Sequence, residues 1–455
     1  MKNLLRYCYV FLATIAIASC AASHSSSSSS LANSSNIVND VQEFDVDGIH
    51  ILMRQSVSVP VVSAILFVRG GSVLSPASEP IMTESFAVAI ATASGSERTS
   101  KSYFRRRMTQ MQTFISGAAG NDYSALSLTC TRENFDTSWK YFTDVATRPA
   151  FDATEFENFM HATLLGLSSV SSDPDSYSRH EADSIYFAGH PYGRVPTVDD
   201  VNQVTLPLIE RHFKSIMVKS RFLLSVVGNI SREELTEKVH STLGKLPEGT
   251  YTAAQALAPL DPPARASRPG AYLFSFNRKL PTNYVLAYFH VPTEGDSDYY
   301  PYLRLRNFFG GFVFNHIRVQ HNLAYAPNVD DKQQRSSIGM IELQTPFVDS
   351  AVKIIYSDVD FFQNNLIRES AIREGVAGWA TRNYLKAETT ANQAVLLGQA
   401  KLLTGDWRDA FFSYEKLSHV TPEQLAHVAQ KYLRNFNWFI VGDTTGIDRA
   451  RLESR

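Results

Sequence analysis

The two halves of this chain repeat one pattern, and a repeat of that size restricts the fold more than any single motif. The first half opens with FDVDGIHILMRQ and VPVVSAILFVRGGS, the second with AYLFSFNRK and TNYVLAYFHVP. Each then carries an apolar helix and a strand pair. A strand-to-helix passage follows, ALSLTCTRENFDTSWKYFTDVATRPAF in one and GMIELQTPFVDSAVKIIYSDVDFF in the other. LSVVGNI and WFIVGDT are the matching closing strands. Alternating apolar and polar residues predict sheets with one face buried under helices. The expected class is α+β: two homologous domains, each a largely antiparallel sheet covered on one face by helices. Residues 40–248 make the first and 271–455 the second. Between them, 249–270 is rich in Pro, Ala and Gly without a period of 2 or 3.6, and reads as a linker. Ser231 to Glu234 and Thr421 to Gln424 are expected capping boxes, the latter with Pro422 at the first helical position.

The N-terminus reads MKNLLRYCYVFLATIAIASC. Lys2 and Arg6 precede an apolar run too short to span a bilayer, which needs about 20 residues. The pattern fits an export signal over residues 1–20. Ile17-Ala18-Ser19-Cys20 also resembles a bacterial lipobox, in which Cys20 would be lipidated. An ordinary signal peptide that happens to contain a cysteine is the other reading. Residues 21–39 are serine-rich, cannot bury apolar surface, and are expected to be a flexible tether. The expected location is the periplasmic side of a bacterial envelope. The expected anchor is lipid on Cys20, in the outer membrane, because Ala21 does not look like an inner-membrane retention signal.

Cys130 is the one cysteine that would remain free after such processing, so no internal disulfide is expected. A formal charge of −2 gives no pull toward nucleic acid. The 455 residues exceed one ordinary core.

Several segments together resemble the insulinase/pitrilysin family of zinc metallopeptidases. VPVVSAILFVRGGS looks like the family's first central strand. GHPYGRVPTVDDVNQVTLPLIERHFKSIMVKSRFLLSVVGNI looks like its His-Pro-Tyr-Gly segment, following helix and closing strand. NFFGGFVFNHIRVQHNLAYAP resembles its glycine-rich loop and the Arg…Leu-x-Tyr segment behind it. The resemblance implies H-x-x-E-H on the first helix, with two histidines and a distant glutamate on Zn²⁺ and the motif glutamate as general base. Anchored on Gly95-Ser96, those positions are Phe86, Ala89 and Ile90, which can neither bind metal nor move a proton. The only acid on the helix expected to supply the third ligand, Glu157, precedes the required turn. The Glu79–Ser96 stretch reads as a helix that packs the sheet and does no chemistry; the alternation of Ala87, Ala89, Ala91 and Ala93 leaves a strand reading open.

In active members an arginine, and a tyrosine seven residues later, reach a partner domain's cleft. Here that spacing holds for Arg318 and Tyr325, behind Gly310-Gly311, which read as a close backbone approach, a positive φ or a plain turn. An ordinary helix arginine and a packed aromatic are the alternative for the pair. His190 is expected to be structural. His316 and His321, five apart, should not share a helix face and are expected to be solvated or packed. Cys130 reads as core, and Arg105-Arg106-Arg107 as a solvated run.

The resemblance therefore implies a non-catalytic subunit of a heterodimeric zinc peptidase. It binds no cofactor; zinc sits in a paralogous partner subunit that carries the zinc motif. Arg318, Tyr325, Gly310 and Gly311 would meet an unfolded peptide there. Two other readings stay open: an envelope scaffold that keeps only the fold, and a hydrolase with non-metal chemistry, for which no G-x-S-x-G elbow exists.

Overall fold

The computed structural model describes residues 40–252 and 260–455. The expected signal, Cys20, the serine tether and the 253–259 part of the expected linker lie outside the described residues.

Eleven strands among the described residues form two sheets. The first holds β1 (Val41–Val46), β2 (Ile49–Gln55), β3 (Val61–Arg69), β4 (Phe114–Ala119), β5 (Tyr123–Thr131) and β6 (Phe222–Gly228). The second holds β7 (Gly270–Phe274), β8 (Asn283–His290), β9 (Asn328–Lys332), β10 (Ile338–Thr345) and β11 (Asn437–Val441). Their orders are β1-β2-β6-β3-β5-β4 and β7-β11-β8-β10-β9. Without the extra β1, the two orders superimpose strand for strand. Even the single parallel pair recurs, β2 with β6 and β7 with β11. The closing strands match to the residue. β6 ends on Gly228 at φ +149°, and Gly442, just after β11, has φ +146°. A Cβ there would strike Val61 O at 2.4 Å or Asn283 Oδ1 at 2.3 Å, so only glycine fits both places.

One face of each sheet packs its own helices. In the first, Val62, Ala64, Leu66 and Leu128 meet Phe86, Trp139, Phe142, Ile209 and Phe213. In the second, Val285, Ala287, Ile341 and Trp438 meet Leu305, Phe309, Val352 and Ile355.

The opposite face of each sheet is covered by a helix from the other half of the chain. The Pro174–Tyr186 helix, from the first half, lies on the second sheet, where Ala182 and Tyr186 pack with Leu286, Tyr288 and Phe439. Tyr186 and Tyr288 meet edge to face at 5.6 Å, and the Tyr288 hydroxyl donates to Asp183 at 3.1 Å. The Thr390–Thr404 helix, from the second half, lies on the first sheet, where Ala394 and Leu397 pack with Leu52, Ile65, Phe67 and Val227. Glu43 ties it down by accepting from Lys401 Nζ at 2.6 Å and, just beyond the helix, from Trp407 Nε1 at 2.8 Å.

Local signals behave unequally. Thr421 and Gln424 close a reciprocal capping box with Pro422 in the first turn. Ser231 caps its helix alone, because the Glu234 carboxylate is drawn away to Arg132 at 2.8 Å. Tertiary charge pairing there replaces the reciprocal cap.

Two predictions follow from the exchanged Thr390–Thr404 helix. A Cβ on Gly398 would meet the Phe67 ring at 2.0 Å. Gly398→Val should therefore cost about 1–3 kcal/mol in urea unfolding. Burial tends to raise the Glu43 pKa, but hydrogen bonds from Lys401, His50 and Trp407 outweigh it and bring it to about 2. Its contribution is thus present above the ordinary value of 4.5 and is lost as pH falls toward about 2. Glu43→Gln should flatten the acid limb of stability against pH.

Candidate functional site

The stretch flagged by its missing chemistry is a helix, Thr83–Ala93, and the strand reading is set aside. Phe86 is fully buried and Ile90 nearly so, while Ala89 is half-buried. The Phe86 ring meets Phe159 at 4.8 Å, edge to face, and Phe156 at 5.8 Å. Both partners come from the Ala153–Val170 helix, where the third ligand would stand; Glu157 is on that helix's exposed side. Three phenylalanines thus meet where the resemblance would put a metal and its ligands. They offer no donor atom, so zinc does not fit. Among the described residues no group of three His, Cys, Asp or Glu side chains is placed to hold a metal ion.

One turn nearer the helix N-terminus lies a polar cluster that sequence reasoning missed. His212, on the Leu206–Ile216 helix, places Nδ1 2.9 Å from Glu79 and Nε2 3.3 Å from Glu84. Ser124 donates to the other Glu84 oxygen. Burial lowers the His212 pKa, but hydrogen bonds and attraction from Glu84 and then Glu79 outweigh it, and the net shift is upward. The imidazole, bridging two carboxylates, clamps this helix to its neighbour. Glu84, His212 and Ser124 are all buried, so the cluster meets no substrate from solvent. Glu84 inside an otherwise apolar run was the available signal; nothing local pointed to a histidine 128 positions away.

The structure brings Arg318 and Tyr325 together. The Tyr299–Val313 helix continues into a wider turn, Phe314–Gln320, with π-helical hydrogen bonding. Arg318 leaves this turn, donates to Asn322 Oδ1 at 2.9 Å, and lies 4.6 Å over the Tyr325 ring. Tyr325 is 79% exposed, so its hydroxyl is free to meet another molecule. Its ring forms part of the wall of a cavity of about 330 Å³ between the second sheet and the Pro174–Tyr186 helix.

Gly310 and Gly311 are not in a loop. Both lie in the last turn of the Tyr299–Val313 helix and neither has a positive φ. With no proline to stop it, burial of Phe309, Val313 and Ile317 in the core carries the helix through them. A Cβ on Gly310 would make ordinary contact with Val329 of β9, and one on Gly311 would meet open space.

The remaining residues have structural partners. His190 accepts from Tyr192 N at 3.1 Å and donates Nε2–H to Asp261 O at 3.0 Å. His316 pairs with Asp358 at 2.6 Å. Across the wide turn the His321 ring donates to the His316 backbone O at 2.9 Å, while the His321 side chain stays exposed. Cys130 is buried in β5, and burial pushes its thiol up to about 11. In the arginine run, Arg105 pairs with Glu155 at 2.6 Å, and all three arginines lie at or near the surface.

Residues 203–377, which include β6, most of the second sheet, Arg318 and Tyr325, match the family described as Peptidase M16 inactive domain. Over these residues the match supports a resemblance to the non-catalytic members of the insulinase family. A structure of a peptidase M16 inactive domain from Pseudomonas fluorescens is similar at 16% identity and TM-score 0.79, covering 90% of this chain and 100% of that one. A protease from Helicobacter pylori is similar at 13% identity and TM-score 0.75, covering 88% and 99%. The periplasmic protease PqqL from Escherichia coli is similar at 12% identity and TM-score 0.75, covering 88% of this chain and 46% of PqqL. At these identities the structures share the fold. No curated protein matches. The inactive-domain match over residues 203–377 fits a non-catalytic, peptidase-like subunit.

The aromatic replacement has a measurable weight. Phe86→Ala should destabilise the protein by about 3–5 kcal/mol in urea unfolding.

Proposed function

We propose that this chain is the non-catalytic, substrate-binding subunit of a heterodimeric zinc peptidase. The observation that carries the reading is a contrast within one chain. The positions that the resemblance assigns to a metal are filled by Phe86, Phe156 and Phe159, whereas Arg318 and Tyr325 are already in contact and Tyr325 is exposed. A zinc-bearing paralogous subunit would supply the metal, and Arg318 and Tyr325 would complete its site in trans. Donors held where an oxyanion develops are worth about 3 kcal/mol each. The substrate is an unfolded peptide, which would bind by strand addition to a sheet edge such as β4 or β9.

Secretion and lipid attachment at Cys20 would place the pair at the envelope. The periplasmic location of PqqL supports that side of the membrane. No described helix is long and apolar enough to cross a membrane.

A second reading, an envelope scaffold, is favoured by one observation. Arg318 already has partners inside its own chain, Asn322 and the Tyr325 ring.

Co-expression with a zinc-motif paralogue, followed by peptide cleavage, separates the two. The pair should cleave while this chain alone does not, and Arg318→Ala should lower the pair's kcat about 100-fold. Tyr325→Phe should lower it too. Cleavage by this chain alone, or a pair indifferent to both substitutions, would sink the subunit reading.

A further inference from the structure

Like charges that face each other across neighbouring strands are destabilising. β3 and β6 run antiparallel, with Val68 opposite Phe222. The next residues outward are Arg69, the last of β3, and Arg221, just before β6. Arg221 reaches back over the Gly70 turn. Its Nη1 donates to the Arg69 carbonyl oxygen at 3.5 Å and would lie 3.2 Å from a Cβ on Gly70. Its guanidinium also lies 5.3 Å from the centre of the Tyr251 ring. Tyr251 is pinned at this place by its N–H, which donates to Ser220 Oγ at 3.1 Å. Burial raises the Tyr251 pKa, while Arg335, Arg221 and Arg69 all pull it down, so three guanidiniums are within electrostatic reach of one phenol.

No carboxylate of the protein answers these charges. Burial lowers the Arg69 pKa, and attraction from Tyr251 and Asp45 does not cancel it. Among the described residues, neither Arg69 nor Arg221 has an aspartate or glutamate within ion-pair distance. The two carboxylates that act on the group are held elsewhere. Asp45 pairs with His50 at 3.1 Å. Asp122 accepts from the Tyr192 hydroxyl at 2.7 and 2.8 Å and from Arg335 N at 3.2 Å. The Tyr251 hydroxyl is an independent sign. It stands among cations and, among the described residues, has no hydrogen-bond partner. Arg69, Arg221 and Tyr251 are half-buried, so each can still be reached from solvent. Planar guanidinium forks match the oxygens of carboxylate and phosphate.

We propose that Arg69, Arg221 and the Tyr251 hydroxyl bind a compact oxyanion, either the C-terminal carboxylate of a peptide or free inorganic phosphate. The site stands in the first half and depends neither on Arg318 nor on a partner subunit.

The test titrates the purified chain by calorimetry at constant ionic strength with three probes. They are inorganic phosphate, a peptide with a free C-terminal carboxylate, and the same peptide as its C-terminal amide. Arg69→Gln and Arg221→Gln should each weaken oxyanion binding about tenfold or more. Tyr251→Phe should weaken it less. Tighter binding of the acid than of the amide assigns the site to a peptide terminus. Phosphate binding with acid and amide alike assigns it to the free anion. Without added oxyanion, both arginine variants should unfold at an equal or higher urea concentration than the wild type, because one of two facing like charges is gone. Unfolding of both at lower urea would show that the guanidiniums serve the fold, and would overturn the site. So would the absence of binding by phosphate and by the acid peptide, or binding that both substitutions leave unchanged.

Discussion

Burial of both faces of both sheets depends on an exchange of helices between the halves. A sheet of this composition is apolar on two sides: β3 and β6 are buried almost throughout. Neither half covers both of its sheet faces with its own helices. The Pro174–Tyr186 and Thr390–Thr404 helices close the account by crossing over. The exchange also fixes where the Arg318–Tyr325 segment stands, because the cavity beside Tyr325 is walled partly by a first-half helix. Position at the candidate site is thus set by residues roughly 150 places away in the chain.

The same helix shows how a fold can outlive its chemistry. A zinc site in this position would bury charged ligands and oblige the surroundings to solvate them. Here aromatic packing replaces that arrangement, and His212 between Glu79 and Glu84 holds the neighbouring turn. The stabilising contacts come from ring edges and from one buried charge network, both of which tolerate the absence of metal.

Much of this was legible in the sequence because it is periodic or local. The repeated succession of strands and helices, the Thr83–Ala93 helix and the Thr421 cap were all carried by alternation, alanine content and fixed offsets. The positions of Phe86 and Arg318 came from family spacing rather than from periodicity. What escaped was non-local or depended on helix geometry. The His212 cluster joins groups on separate helices, and Glu234 abandons its cap for Arg132. Gly310 and Gly311 suggested a loop, yet glycine only weakens a helix and does not stop one. The π-helical turn after them brings the His321 ring to the His316 backbone O, and no residue pattern announces that register. The crossing helices were hidden for another reason. An amphipathic stretch shows that it has an apolar face, but not which sheet that face will meet.

The exchange also has a consequence for biogenesis. During synthesis or export, the first sheet is complete once β6 has emerged, at about residue 228. Its outer face then waits for the helix that begins at Thr390. For some 160 residues, Leu52, Ile65, Phe67 and Val227 stay open to water and to other nascent chains. At elongation rates of about 5–20 residues per second that interval lasts on the order of ten seconds or more. Shielding of those apolar strands is therefore needed until the Thr390–Thr404 helix arrives.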